Sequence, residues 1–169
     1  MTRRAVVQKW ILYSLCALAL VLVQSLILVR VQVWGVHPFL LPAIAVIPVT
    51  LERDEGALLF SVFFGLACDL LTPVAGLPCF YALAFLAGAV IAWLLSGQVI
   101  VAGLVCSLVV TAAATAVCGL LHMAVLAGHH GETAGATLSL LGRELVLSLP
   151  CAVAAHPLFR WVQRRIKSD

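Results

Sequence analysis

The chain has 169 residues, 64% of them hydrophobic and 10% charged, and its mean hydropathy is +1.17. Water-soluble domains carry roughly a quarter charged residues, so the polar side chains here are too few to cover a soluble core, which excludes a water-soluble globular domain. The formal net charge of +3 offers no basic face broad enough to follow a phosphate backbone, so nucleic acid is not an expected partner.

Lipid is then the solvent, and the expectation is a single all-α, polytopic membrane domain over residues 1–169 with about six transmembrane helices. The first span is predicted at 10–29, with Gln24 as its one strongly polar member. Its basic start resembles a signal peptide, but the apolar run is too long and no A-x-A site follows, so it is expected to be retained. The second span, 36–51, contains Pro38, Pro42 and Pro48. Pro38 suits a first helical turn; Pro42 and Pro48 each remove a backbone hydrogen bond and should kink or break the helix. Unsatisfied backbone is not tolerated against lipid, so this span is expected to pack against protein. The tract Glu52–Glu55 ends it.

The third span covers 56–71 and carries Asp69 near its far end, followed by a short turn over 72–76. The fourth runs over 77–95. The fifth, 99–127, is long enough to need tilt or an interfacial extension. A polar loop over 128–137 holds His129, His130 and Glu132, and the sixth span covers 138–159 with Arg143 and Glu144 in its first turns. Six spans put both termini on one side. With the termini cytoplasmic, the inside collects Arg3, Arg4, Lys9, Arg53, Arg160, Arg164, Arg165 and Lys167, against Arg30 and Arg143 outside, as the positive-inside rule requires. The basic ends are expected to meet anionic lipid headgroups. Trp10, Trp34, Trp93 and Trp161 sit near predicted span ends, where interfacial aromatics belong. The short connections leave no room for a domain outside the bilayer.

Few residues carry chemistry. Ser61, Gly65 and Asp69 recur every four residues and share one helix face. A carboxylate inside a span is costly, so Asp69 should face the bundle interior or cap the following turn. A charge-assisted pair between Asp69 and Arg143 is one expectation; Arg143 and Glu144 point about 100° apart and cannot share one partner. Gly103, Ser107, Thr111, Thr115 and Gly119 form a second four-residue stripe, suited to close helix packing. His122 and His156 are expected as polar packing groups. The six cysteines show no metal-ligand or disulfide spacing, and no metal or other cofactor is expected. No lysine lies inside a predicted span, no nucleotide-binding loop is present, and no second carboxylate stands beside Asp69, so an enzyme is not expected.

The stretch GALLFSVFFGLACDLLTPVAGLPCFYALAFLAG, Gly56 to Gly88, resembles the signature of the rod shape-determining protein MreD family: a glycine-containing span ending in G-x-x-x-D-L, a short turn, then G-L before a small-residue-rich span. The matching residues are Gly65, Asp69, Leu70, Gly76 and Leu77. Gln24, Pro38 and the tail LPCAVAAHPLFRWVQRR from Leu149 are also similar to the family's pattern. The chain departs from it at Phe39, where an acidic or amide residue is common, and at the mostly acidic Glu52–Glu55, where the family's loop is usually basic. The resemblance implies a fold like that of the substrate-binding components of energy-coupling-factor vitamin transporters. It implies a non-enzymatic scaffold of the cell-elongation machinery in the bacterial inner (cytoplasmic) membrane. Its implied partners are a bitopic MreC-like protein, MreB, RodA and penicillin-binding protein 2, with Gly65, Asp69, Gly76, Pro38, Arg143 and Glu144 as candidate partner-binding or structural residues. The other expectation for such a fold is a small-molecule transporter component, which needs an outward cavity with convergent polar groups.

Overall fold

The computed structural model describes residues 3–72, 79–98, 103–130 and 134–167. They form six α-helices: α1 (Arg3–Leu26), α2 (Leu41–Glu52), α3 (Glu55–Leu71), α4 (Phe80–Gln98), α5 (Leu104–His130) and α6 (Ala134–Lys167), with one 3₁₀ turn at Leu28–Arg30. Three segments are long and apolar enough to cross a membrane: Val6–Arg30, Leu104–Ala124 and Leu138–Arg165. Leu41–Glu52 and Phe80–Ser96 are shorter apolar helices.

The surface is apolar. Along α1, Ile11, Leu15, Leu18, Leu22 and Leu26 form an exposed ridge, and on α3 Phe63 and Leu70 are 67% and 85% exposed. Spacings of three and four residues put such a ridge on one helix face. Water penalises that surface by roughly 25 cal/mol per Å², whereas lipid does not.

The core lies on both sides of α2. One cluster joins Val46 and Val49 of α2 to Ala57 and Cys68 of α3, Phe85 and Ala89 of α4, and Val110 and Ala114 of α5. The other joins Ile44 and Ile47 of α2 to Tyr13 of α1 and Ala155 and Phe159 of α6. Every residue from Pro42 to Thr50 is buried, so α2 is the centre of the bundle, and the expected packing of the proline-bearing span against protein is what forms.

Its boundaries differ from the expectation. The helix begins at Leu41, not at Val36, so Pro38 precedes it, Pro42 falls at its second position, and Pro48 is the proline inside. Pro42 therefore costs no intrahelical bond. In the stretch 36–40, expected as the start of the span, backbone groups of Pro38, Phe39 and Leu40 are taken by side chains from other helices, described below.

Two tight connections have identifiable causes. At the α2–α3 corner Arg53 takes the left-handed conformation (φ 50°), its N–H bonding Val49 O, and Asp54 caps α3 by accepting from Ala57 N at 2.9 Å. Before α2, Val33 and Val36 exchange two backbone bonds of 3.1 Å across Trp34 (φ 54°) and Gly35 (φ 80°). Positive φ at both central positions is the pattern of a type I′ turn. Between α5 and α6 the expected polar loop shrinks, because α5 continues to His130 and α6 starts at Ala134. Polar residues end a span without ending a helix. The same holds for α6, which continues past Phe159 to Lys167 through good helix formers.

Candidate functional site

The polar side chains concentrate at the two ends of the bundle. The end opposite the termini carries most of the residues singled out by sequence. There, Asp69 of α3 accepts from Tyr81 N (2.8 Å, Oδ1) and Ala82 N (3.0 Å, Oδ2). These N–H groups belong to the first turn of α4, where no intrahelical acceptor exists and the helix dipole favours a negative charge. One turn earlier on the same face, Gly65 lies against α4 so closely that a Cβ there would stand 2.6 Å from Ala82 Cα and 2.8 Å from Tyr81 O. Ser61, a further turn back, donates to Ala45 O of α2 at 2.6 Å. The four-residue repeat thus becomes one docking face: a hydroxyl on α2, an absent side chain on α4, and a carboxylate over the start of α4.

This geometry corrects the expected Asp69–Arg143 pair. No ion pair joins them; Asp69 is committed to α4, and Arg143 donates to Trp34 O at 3.3 Å from an exposed position. The carboxylate has found backbone donors on its own hairpin, which need no long side chain to be immobilised. Gly76 and Leu77 of the motif lie outside the described residues.

Gln24 and Pro38 act together. The buried Gln24 amide donates to Pro38 O at 2.9 Å and accepts from Leu40 N at 3.1 Å, while Phe39 N donates to Ser148 Oγ at 2.9 Å. Ser148 Oγ in turn donates to Glu144 O at 2.7 Å. The non-helical stretch that leads into α2 is therefore satisfied by α1 on one side and α6 on the other, as buried backbone requires. Pro38, expected in the first turn of the helix, instead presents its carbonyl to Gln24.

Arg143 and Glu144 part as their angular separation demands. Arg143 reaches the Trp34 turn, and Glu144 lines a cavity of ≈ 400 Å³ together with Gly35–Phe39, His122, Met123, Leu140 and Leu141. His122 also meets the Phe80 ring edge-on, with centroids 5.8 Å apart.

The terminal end holds a cluster that sequence reasoning missed. Lys9, read as a headgroup contact, is only 4% exposed. Its Nζ pairs with Glu52 Oε2 at 3.0 Å and Asp54 Oδ2 at 2.9 Å, and sits 4.8 Å from the Trp10 ring centroid. Tyr13 donates to Glu52 Oε1 at 2.9 Å, and Gln163 of α6 donates to Leu51 O at 2.7 Å. The acidic α2–α3 corner is thus held to α1 and α6. The available signal was the match between one lysine at the start of the first span and an acidic tract predicted on the same side.

The small-residue stripe on α5 is internal. Ser107, Thr111 and Thr115 are buried, Ser107 Oγ lies 3.1 Å from Thr50 Oγ1, and a Cβ at Gly119 would overlap Leu141 of α6. His156 is buried, and its Nε2 has no hydrogen-bond partner among the described residues. Its place is in the α6 face that packs on α1 and α2, between Ala155 and Phe159. The cysteines are free thiols. Among the described residues no three His, Cys, Asp or Glu side chains converge on one point. The arrangement fixes helices to one another through caps, backbone acceptors and one ion cluster. Comparisons with protein-family models, with curated proteins and with solved structures find no match to this chain.

Proposed function

We infer that this chain is a MreD-like, non-enzymatic scaffold of bacterial cell elongation, crossing the cytoplasmic membrane six times with both termini inside. The observation that carries the reading is the joint action of Gly65 and Asp69: the residues of the G-x-x-x-D motif build the α3–α4 hairpin. A family signature defined by such a joint keeps a helix pair in register, which is what a scaffold must present to a partner helix. The distribution of arginines supports the orientation, since Arg160 and Arg164 lie at the terminal end and Arg143 at the other. The three shorter helices count as spans in this reading, α2 being completed by the non-helical residues before it. Anionic lipid headgroups meet the basic α6 terminus. A bitopic MreC-like protein is the direct partner, with MreB, RodA and penicillin-binding protein 2 assembling through it.

The test is co-purification in mild detergent from a rod-shaped bacterium, with a tagged MreC-like protein as bait. Capture of the wild-type chain, and its loss in Asp69→Lys at equal membrane abundance, is the expected result. Equal capture of both sinks the scaffold role given to the α3–α4 hairpin. Cysteine labelling that places the two termini on opposite faces sinks the six-span topology.

A further inference from the structure

The cavity at the end of the bundle opposite the termini is lined by Gln24 of α1 and by three further groups of residues. The stretch before α2 contributes His37 and Phe39, α5 contributes His122 and Met123, and α6 contributes Leu141 and Glu144. Its volume of ≈ 400 Å³ falls within the ≈ 300–1,000 Å³ of small-ligand sites. The lining is mostly apolar, and its polar groups are not equivalent. Gln24 reaches the wall, but its amide is already used on both sides by Pro38 O and Leu40 N. Glu144 is half-buried, and among the described residues its carboxylate has neither a hydrogen-bond nor an ion-pair partner. The adjacent cation, Arg143, is turned away to Trp34 O.

An ionisable side chain inside an apolar helix is costly and marks a binding function by default. A carboxylate on an apolar wall, with the adjacent Arg143 engaged elsewhere, is complementary to a positive charge attached to an apolar body. The geometry points to this cavity as a binding site for an amphipathic primary amine, with Glu144 receiving the ammonium group and Phe39, Met123 and Leu141 enclosing the apolar part. His37 and His122 also line the cavity and offer ring nitrogens as further hydrogen-bond partners. The Trp34–Gly35 turn, tied to α6 by Arg143, brings Gly35 into the lining. The same chemistry is offered by a soluble amine and by the ethanolamine headgroup of a phospholipid. This site is distinct from the α3–α4 hairpin on which the scaffold reading rests.

The probe is 2-phenylethylamine, with uncharged 2-phenylethanol as its control. Binding is measured by equilibrium dialysis on the full chain in nanodiscs of phosphatidylglycerol alone and of phosphatidylglycerol with phosphatidylethanolamine. Saturable binding of the amine, no saturable binding of the alcohol, and at least a tenfold loss in Glu144→Gln are expected. Met123→Trp, which fills the cavity without touching the carboxylate, is expected to lose binding as well. Glu144→Asp retains it more weakly. Displacement of the amine by phosphatidylethanolamine assigns the site to the lipid headgroup; indifference to it assigns a soluble amine. Absence of saturable binding, equal binding of the alcohol, or binding unchanged in Glu144→Gln overturns the assignment. Partner capture by the Glu144→Gln variant, measured in the same preparation, separates this outcome from the fate of the scaffold reading.

Discussion

Gly65 of α3 and Ala82 of α4 approach so closely that a single added methyl at position 65 would stand 2.6 Å from the Ala82 Cα. The obstacle is backbone on the first turn of a helix, which cannot swing aside as a side-chain tip would. Gly65→Ala is therefore expected to destabilise the protein by about 1–3 kcal/mol, the usual range for overpacking. Gly142→Ala is the matched control, since nothing lies within 4 Å of a Cβ there; it should be neutral or stabilising by up to about 1 kcal/mol through helix propensity. Melting in detergent, followed by circular dichroism, compares the two. A neutral Gly65→Ala contradicts the close approach.

Asp69 supplies both oxygens to the start of α4. Asp69→Ala leaves two backbone N–H groups without acceptors and is expected to cost about 2–3 kcal/mol, in line with charged hydrogen bonds and caps. Asp69→Asn keeps one acceptor oxygen and should recover about half of that loss. Hydrogen exchange at Tyr81 and Ala82 is the direct readout, and unchanged protection in Asp69→Ala is the opposing result.

Lys9 pairs with two carboxylates, Glu52 with a side chain 10% exposed and Asp54 with one 43% exposed. Lys9→Met leaves the more buried carboxylate without its cation, for an expected loss of about 2–4 kcal/mol, the lower part reflecting the exposure of Asp54. Adding Glu52→Gln to Lys9→Met should restore part of it, because the uncompensated buried charge is then removed. A double variant no more stable than Lys9→Met rules out charge burial as the cause.

Gln24 bridges Pro38 O and Leu40 N. Gln24→Leu conserves the approximate volume but strands both backbone groups, with an expected cost of about 2–4 kcal/mol from two unsatisfied partners. Protease accessibility of the 31–40 stretch should rise in step. Resistance equal to wild type, with unchanged melting, excludes the bridge as a fastening.

The helix positions were legible because apolar runs dictate them: α3 was expected at 56–71 and forms at Glu55–Leu71. The start of α2 was not. Val36–Leu40 carries three apolar side chains around His37 and Pro38, and what holds it outside the helix is Gln24 and Ser148, residues 14 and 109 positions away in the pairs they form. Long-range polar contacts leave no trace in local periodicity. The same limit explains Asp69. Its burial face was readable from Ser61 and Gly65 at four-residue spacing, whereas the choice between a capping role and a cationic partner depended on where Arg143 lay. The Lys9 cluster escaped for a different reason: a lysine beside an apolar run and an acidic tract at a corner each has an ordinary surface explanation, and only their juxtaposition makes them one buried unit.

The central position of α2 bears on how the polypeptide enters the bilayer. Twelve residues span about 18 Å at 1.5 Å per residue, well short of the roughly 30 Å hydrocarbon layer. The segment is enclosed by neighbours rather than by acyl chains. Such a piece has no stable resting place at the moment of its synthesis, so integration must be cooperative: the proline-bearing rod is locked in only when α5 and α6, which enclose it together with α1, arrive. Truncation after α4 should then yield a product degraded by membrane quality control, although every apolar stretch up to that point has been translated.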